Sequence, residues 1–154
     1  MDLGENISRL ILLAQKFAEA TPDFFATKGP GAGDRATNEF MQKLNSNATS
    51  IFGKVYTAPK ICGETNFAPD FYFPEEQTVV EFAFSLDKPI SEYERDIFKC
   101  LLAKDNGFPV RSLLLVCKPG GQRRLSAPGP KAISDWAARH CALDVLVWDL
   151  IAPG

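Results

Sequence analysis

Asn66-Phe67-Ala68-Pro69-Asp70-Phe71-Tyr72-Phe73, then Pro74-Glu75-Glu76-Gln77, then Thr78-Val79-Val80-Glu81-Phe82-Ala83-Phe84-Ser85-Leu86 is the stretch that decides the fold. Two runs rich in aromatic and β-branched residues flank a four-residue turn, the pattern of antiparallel strands joined by a short connection. Val55 to Cys62 reads as a strand before them, so an antiparallel meander of three strands is expected. Side chains alternate along a strand, which sets Glu81, Ala83 and Ser85 on one face and Val80, Phe82, Phe84 and Leu86 on the other. Glu81 is therefore a carboxylate inside an apolar strand. Asp70 lies amid Phe67, Phe71 and Phe73, where the hairpin can place it across from Glu81.

Two buried carboxylates side by side are costly unless a cation or hydrogen bonds hold them. A hard divalent ion meets that need: Mg²⁺ takes one or two carboxylates together with waters and phosphate oxygens, and the Phe82 carbonyl is a natural third protein ligand. Mg²⁺, or Mn²⁺ in its place, is the cofactor expected at Asp70, Glu81 and Phe82.

Upstream, Ile7, Leu10, Ile11, Ala14, Phe17 and Ala18 recur at helical spacing, and Thr21-Pro22 ends the pattern. Beyond the glycine-rich residues 28–33 a second helix is expected from near Asp34, with Ala36, Phe40, Leu44 and Ala48 on one face. The Gly29-Pro30-Gly31-Ala32-Gly33 run follows no strand and lacks the Gly-Lys-Ser/Thr ending of a nucleotide-binding loop. Downstream, Ile90 to Lys104 returns to helical spacing through Ile90, Tyr93, Ile97 and Leu101, and Asp105-Asn106-Gly107 ends it. Arg111 to Cys117 is a continuous apolar run, as expected of a strand covered on both faces. Pro130 suits the first position of a helix through Trp136, and Leu143 to Leu150 reads as the last strand.

The expected order is thus ααβββαβαβ, an α/β fold whose central mixed sheet of four to five strands is flanked by helices, within a single domain over residues 1–154. A composition of 45% hydrophobic and 23% charged residues suffices for one core. No run approaches the length of a membrane span, so a cytoplasmic protein is expected. Cys62, Cys100, Cys117 and Cys141 form no Cys-x-x-Cys pair and meet a single histidine, which argues against zinc and against a disulfide framework. A net charge of −2 gives no global attraction to nucleic acid, so contact with DNA must come from a local patch. The segment from Lys118 to Lys131 supplies one candidate: Lys118, Arg123, Arg124 and Lys131 with no acidic residue among them, either an ordinary loop or one that meets phosphates.

Pro69-Asp70, a turn, Glu81-Phe82-Ala83, and then a helix, strand, helix and strand resemble the PD-(D/E)XK nuclease superfamily, the restriction-endonuclease-like fold, over roughly residues 34 to 150. The resemblance implies Mg²⁺-dependent cleavage of DNA, with a homodimer needed for double-strand or junction cleavage. Ala83 stands where the family carries a lysine that orients the attacking water. Some members supply that amine from the following helix, which makes Lys99 the candidate. On a helical wheel, however, Lys99 lies opposite Tyr93, Ile97 and Leu101 with Asp96 three residues earlier, the description of an exposed ion pair.

Resolvase-like members place a glutamate on the helix before the meander. Here the centre of that helix's apolar face falls at Thr37, and Glu39 points away. Glu94, near the middle of the next helix's apolar stripe, is read as a first-turn acid suited to the helix dipole. Glu64 is read as a turn residue, and His140 as a surface group at a helix end. Ala83 and Thr37 also support another function: a catalytically inactive nuclease-like domain serving as a DNA-binding or protein-interaction module. An interaction domain unrelated to nucleic acid is a third reading.

Overall fold

The computed structural model describes residues 3–26, 32–84 and 91–154, without the side chains of residues 32–34 and 91. Most of the glycine-rich loop, as well as Ser85, Leu86 and Ile90 of the expected elements, lies outside the described residues. Helices α1 (Glu5–Ala20) and α2 (Ala32–Phe52) precede strands β1 (Phe71–Phe73) and β2 (Thr78–Ala83). Helix α3 (Ser91–Asp105), strand β3 (Ser112–Cys117), helices α4 (Gly121–Leu125) and α5 (Pro128–Cys141) and strand β4 (Asp144–Asp149) follow. The sheet order is β1-β2-β3-β4, with β1 antiparallel to β2 and the other neighbours parallel. This is an α/β fold with a four-stranded mixed sheet flanked by helices.

Alternation along the central strands assembles two cores. Val80, Phe82, Leu114 and Val116 face α1 and α2, where Ile7, Leu10, Ala14, Phe40 and Leu44 meet them. Phe40 anchors that face, with ring centroids 4.9 Å from Phe24, 5.6 Å from Phe82 and 5.3 Å from Phe84, separations at which aromatic pairs attract beyond their burial. Val79, Ala83, Leu113 and Leu115 face the opposite way, onto Tyr93, Ile97, Cys100 and Ala103 of α3 and Ala137 of α5. Helix α1 stops where its sequence says it should. The Thr21 hydroxyl donates to the Phe17 carbonyl at 2.7 Å, and Pro22 has no N–H to continue the ladder.

Three expectations are corrected. Residues 55–62 do not form a strand: Ala58 has a left-handed backbone (φ 44°) and Pro59 lacks a donor, so only the single bridge Thr57 to Phe71 forms. The observed order therefore carries two strands before α3 instead of three, and the second expected strand shrinks to Phe71–Phe73. Helix α5 begins at Pro128, two residues before Pro130, because the Ala127 carbonyl already accepts the Lys131 N–H at 2.9 Å. Finally, the basic segment after β3 is not all loop, since Gly121–Leu125 forms α4.

Helix α4 is seated tightly against β3. A Cβ on Gly121 would overlap the Cys117 side chain, coming within 2.7 Å of its Sγ. Gly121→Ala is expected to lower unfolding free energy by about 1–3 kcal/mol in urea titrations, as overpacking does. An unchanged midpoint would show that α4 can shift freely.

Candidate active site

The site begins with a fault in the sheet. The β1–β2 ladder ends at the Phe71–Val80 pair, because the chain bends at Asp70 and Pro69 before it has no N–H. The next β2 donor on that side, the Phe82 N–H, goes instead to the Asp70 carboxylate: it donates to Oδ2 at 2.8 Å. In return the Asp70 N–H donates to Glu81 Oε1 at 2.6 Å. Asp70 and Glu81 thus face each other at the frayed end of the hairpin, as the alternation in the sequence implies.

Lys99 joins them from α3. Its Nζ donates to Glu81 Oε2 at 2.8 Å and lies 3.6 Å from Asp96 Oδ1. In place of the exposed Lys99–Asp96 pair that was expected, the ammonium pairs with Glu81, which is 3% exposed, and Asp96 beside them is itself buried at 4%. The buried stripe of α3 runs through Tyr93, Asp96, Ile97, Cys100 and Ala103, whereas Phe98 is exposed and Leu101 and Leu102 are half-buried. The apolar spacing through Ile90, Tyr93, Ile97 and Leu101 instead turns the stripe toward Glu94, which is exposed. The small residues Cys100 and Ala103 were the available signal, since they mark where α3 approaches the sheet closely, and Asp96 lies one turn before Cys100.

Three carboxyl groups around one ammonium cannot all ionise cheaply. Burial, reinforced by the charge of Glu81, pushes the Asp70 carboxyl up to about 7 despite the opposing Phe82 N–H and Lys99. Burial and hydrogen bonding to Glu81 push Asp96 further, to about 10. For Lys99, burial works against the ammonium, but Glu81 and then Asp96 outweigh it and raise its pKa. The cluster holds an ion pair, Glu81 with Lys99, beside two carboxyl groups whose protons are held above the ordinary carboxylate range.

No protein-family model, curated protein or solved structure matches the chain significantly. The chemistry must be read from the residues. Among the described residues, no group of three or more His, Cys, Asp and Glu side chains is arranged to hold a metal ion. The donor set suits a hard ion only through the Asp70–Glu81 pair. Both Glu81 oxygens accept hydrogen bonds, whereas Asp70 Oδ1 accepts none from the described residues.

The four basic residues after β3 have different surroundings. Lys118 lies over the Phe24 ring at 4.6 Å, and burial lowers its pKa. Arg123 and Arg124 are exposed on α4, whose backbone N–H groups at Gly120 and Gln122 donate to Asp149. Lys131 pairs with Asp135 at 2.9 Å on α5. Of the remaining candidates, Thr37 is half-buried on α2, Glu39 is exposed, Glu64 lies in a turn, and His140 is exposed in the last turn of α5. No described helix is long and apolar enough to cross a membrane.

Proposed function

We propose that this chain is a restriction-endonuclease-like domain of the PD-(D/E)XK type that hydrolyses DNA phosphodiesters with a divalent ion, Mg²⁺ or Mn²⁺. The observation that carries the reading is the 2.8 Å contact from Lys99 Nζ to Glu81. An ammonium delivered by α3 stands at the acid pair and offsets the alanine at position 83. Asp70, Glu81 and the Phe82 carbonyl would hold the ion. Bound there, it would lower the pKa of a water and neutralise charge developing on the phosphate. Asp70, whose carboxyl burial pushes up to about 7, accepts no hydrogen bond at Oδ1 from the described residues, and a cation there would favour its ionised form. The Lys99 ammonium holds Glu81 in place and, in this reading, would orient the nucleophile. Lys118, Arg123 and Arg124 follow the carboxyl end of β3, the end of an open α/β sheet at which ligands bind, and support DNA as the partner. One such site cuts one strand, so double-strand cleavage calls for a homodimer.

The test is plasmid nicking with Mg²⁺ or Mn²⁺. Wild type is expected to nick, Asp70→Ala to lose detectable nicking, and Lys99→Ala to slow it by about 100-fold or more, the loss typical of removing one electrostatic stabiliser. Equal rates for Lys99→Ala and wild type would remove Lys99 from the mechanism.

A second reading is favoured by one observation: both Glu81 oxygens are engaged within the protein. In it the cluster is a structural ion pair, and the domain is a catalytically inactive DNA-binding or protein-interaction module. Absence of metal binding and nicking in wild type, under conditions where the chain is folded, would select this reading over the first.

A further inference from the structure

Strand β4 forms one edge of the sheet, and no strand of the described residues pairs with it there. Its neighbour β3 is buried at all six residues, whereas Asp144 and Trp148 of β4 are exposed and the residues between are half-buried. The ladder to β3 fixes which backbone groups are unused. The Asp144 N–H donates to the Arg111 carbonyl and the Leu150 N–H to the Cys117 carbonyl, so the even-numbered residues of β4 are turned toward β3. Alternation then turns the N–H and C=O groups of Val145, Val147 and Asp149 outward.

Natural edges are blunted by lysine, proline, bulges or a covering element. Between Val145 and Trp148 there is no charged residue and no proline, and the register with β3 is unbroken. Hollows of mixed lining flank the strand: one of about 220 Å³ between Leu146 and Leu114 and the polar Glu76 and Arg111, another of about 280 Å³ between Val145 and Val147 and the polar Lys131 and Asp135. Exposed apolar side chains recur past the strand. Gln15 exchanges hydrogen bonds of 2.7 and 2.9 Å with the Ile151 backbone, bringing the 70% exposed Ile151 to α1, where Leu12 one turn away is 72% exposed.

The geometry points to this edge as a docking surface for a second copy of the chain, its β4 added antiparallel about a two-fold axis at Val147. The strand is complementary to itself in that register. Outward groups lie at odd positions, so bonded pairs must join odd to odd. Centring on Val147 alone pairs all three outward residues with one another: Val147 with its own copy, and Val145 with Asp149 in both directions. It also brings Leu146 against Trp148 on the α1 face, an aliphatic–aromatic cross-strand pair. No acid faces an acid, because Asp149 meets Val145 and Asp144 meets Leu150. The result is a continuous eight-stranded sheet, an isologous interface that does not depend on the nuclease reading.

Sedimentation of the full chain over a concentration series should give twice the 16.9 kDa chain mass. Trp148→Lys should shift it to the monomer mass with its circular dichroism unchanged. A register test uses a Cys141→Ser background, since Cys62, Cys100 and Cys117 are buried. Val147→Cys should crosslink on oxidation, because Cα atoms of a bonded antiparallel pair lie about 5.5 Å apart, within disulfide reach. Val145→Cys should not, because its copy lies four residues out of register, roughly 13 Å away. A monomer at every concentration, a Trp148→Lys dimer, or crosslinking at Val145 equal to that at Val147 would each overturn the proposal.

Discussion

Lys99→Met is expected to lower the unfolding free energy by about 3–5 kcal/mol at neutral pH, read from urea melts, because it strips the counter-charge from a buried carboxylate. Glu81 is 3% exposed, and its Oε2 accepts from Lys99 at 2.8 Å. Methionine replaces the stem but not the ammonium, and the donors left to Glu81, the Asp70 N–H and the protonated Asp96 carboxyl, carry no positive charge. Lys131→Met supplies the contrast. It breaks a pair of similar length, 2.9 Å, whose side chains are 60% and 47% exposed, and should cost no more than about 1 kcal/mol. The paired change Glu81→Leu with Lys99→Met should recover much of the loss, since a buried ion pair replaced by apolar residues is often close to neutral. A cycle of these variants measures the coupling directly. A Lys99→Met loss no larger than that of Lys131→Met would show that water reaches Glu81 and that the pair is not a buried one.

Much of the fold is legible in the sequence because one signal, apolar periodicity, fixes it. Ile7, Leu10, Ile11 and Ala14 announce α1; Phe40 and Leu44 announce α2; Arg111 to Cys117 reads as a doubly covered strand, and its Ser112–Cys117 is buried throughout. The facing of Asp70 and Glu81 is legible for the same reason, since alternation and a short turn determine it. What is not legible depends on backbone detail or on distance between elements. Composition cannot foretell that Ala58 adopts a left-handed conformation and ends strand pairing. Lys99 was legible as a residue but not as a neighbour. Its helix had to be rotated by the small residues Cys100 and Ala103, whose close packing no hydrophobicity pattern weights strongly. Asp96 was missed because an acid three residues before a lysine ordinarily describes a solvated pair.

The same cluster predicts an inverted response to pH. A carboxyl group whose pKa rises on folding holds its proton in the native state after the unfolded chain has released it, so stability falls as pH rises through that window. Asp70 moves from 3.8 to about 7 and Asp96 from 3.8 to about 10, each mainly through burial. Their contribution is fully present below about pH 4. Asp70 loses its share by about pH 7, while Asp96 goes on losing stability toward pH 10. The slope should reach up to about 1.4 kcal/mol per pH unit for each group that is protonated only in the folded state. Among the other shifted groups, Lys118, lowered by burial, gains stability as pH rises toward 10.5 and so opposes this fall. Glu75, lowered by its hydrogen bond from Tyr56, likewise opposes it but only below 4.5, and Lys99, raised by its acid neighbours, loses its contribution only above 10.5. Asp96→Asn should therefore flatten the slope and raise stability at pH 8 by on the order of 2–4 kcal/mol, because asparagine can donate to Glu81 without a proton to lose. Asp70→Asn should act in the same direction, its side-chain oxygen still accepting the Phe82 N–H. Urea midpoints at pH 5, 6, 7 and 8 measure both effects. Wild-type stability that climbs across this range, as it does where carboxylates are stabilised ionised, would mean that Asp70 and Asp96 are charged in the fold and that Lys99 alone cannot be their counter-ion.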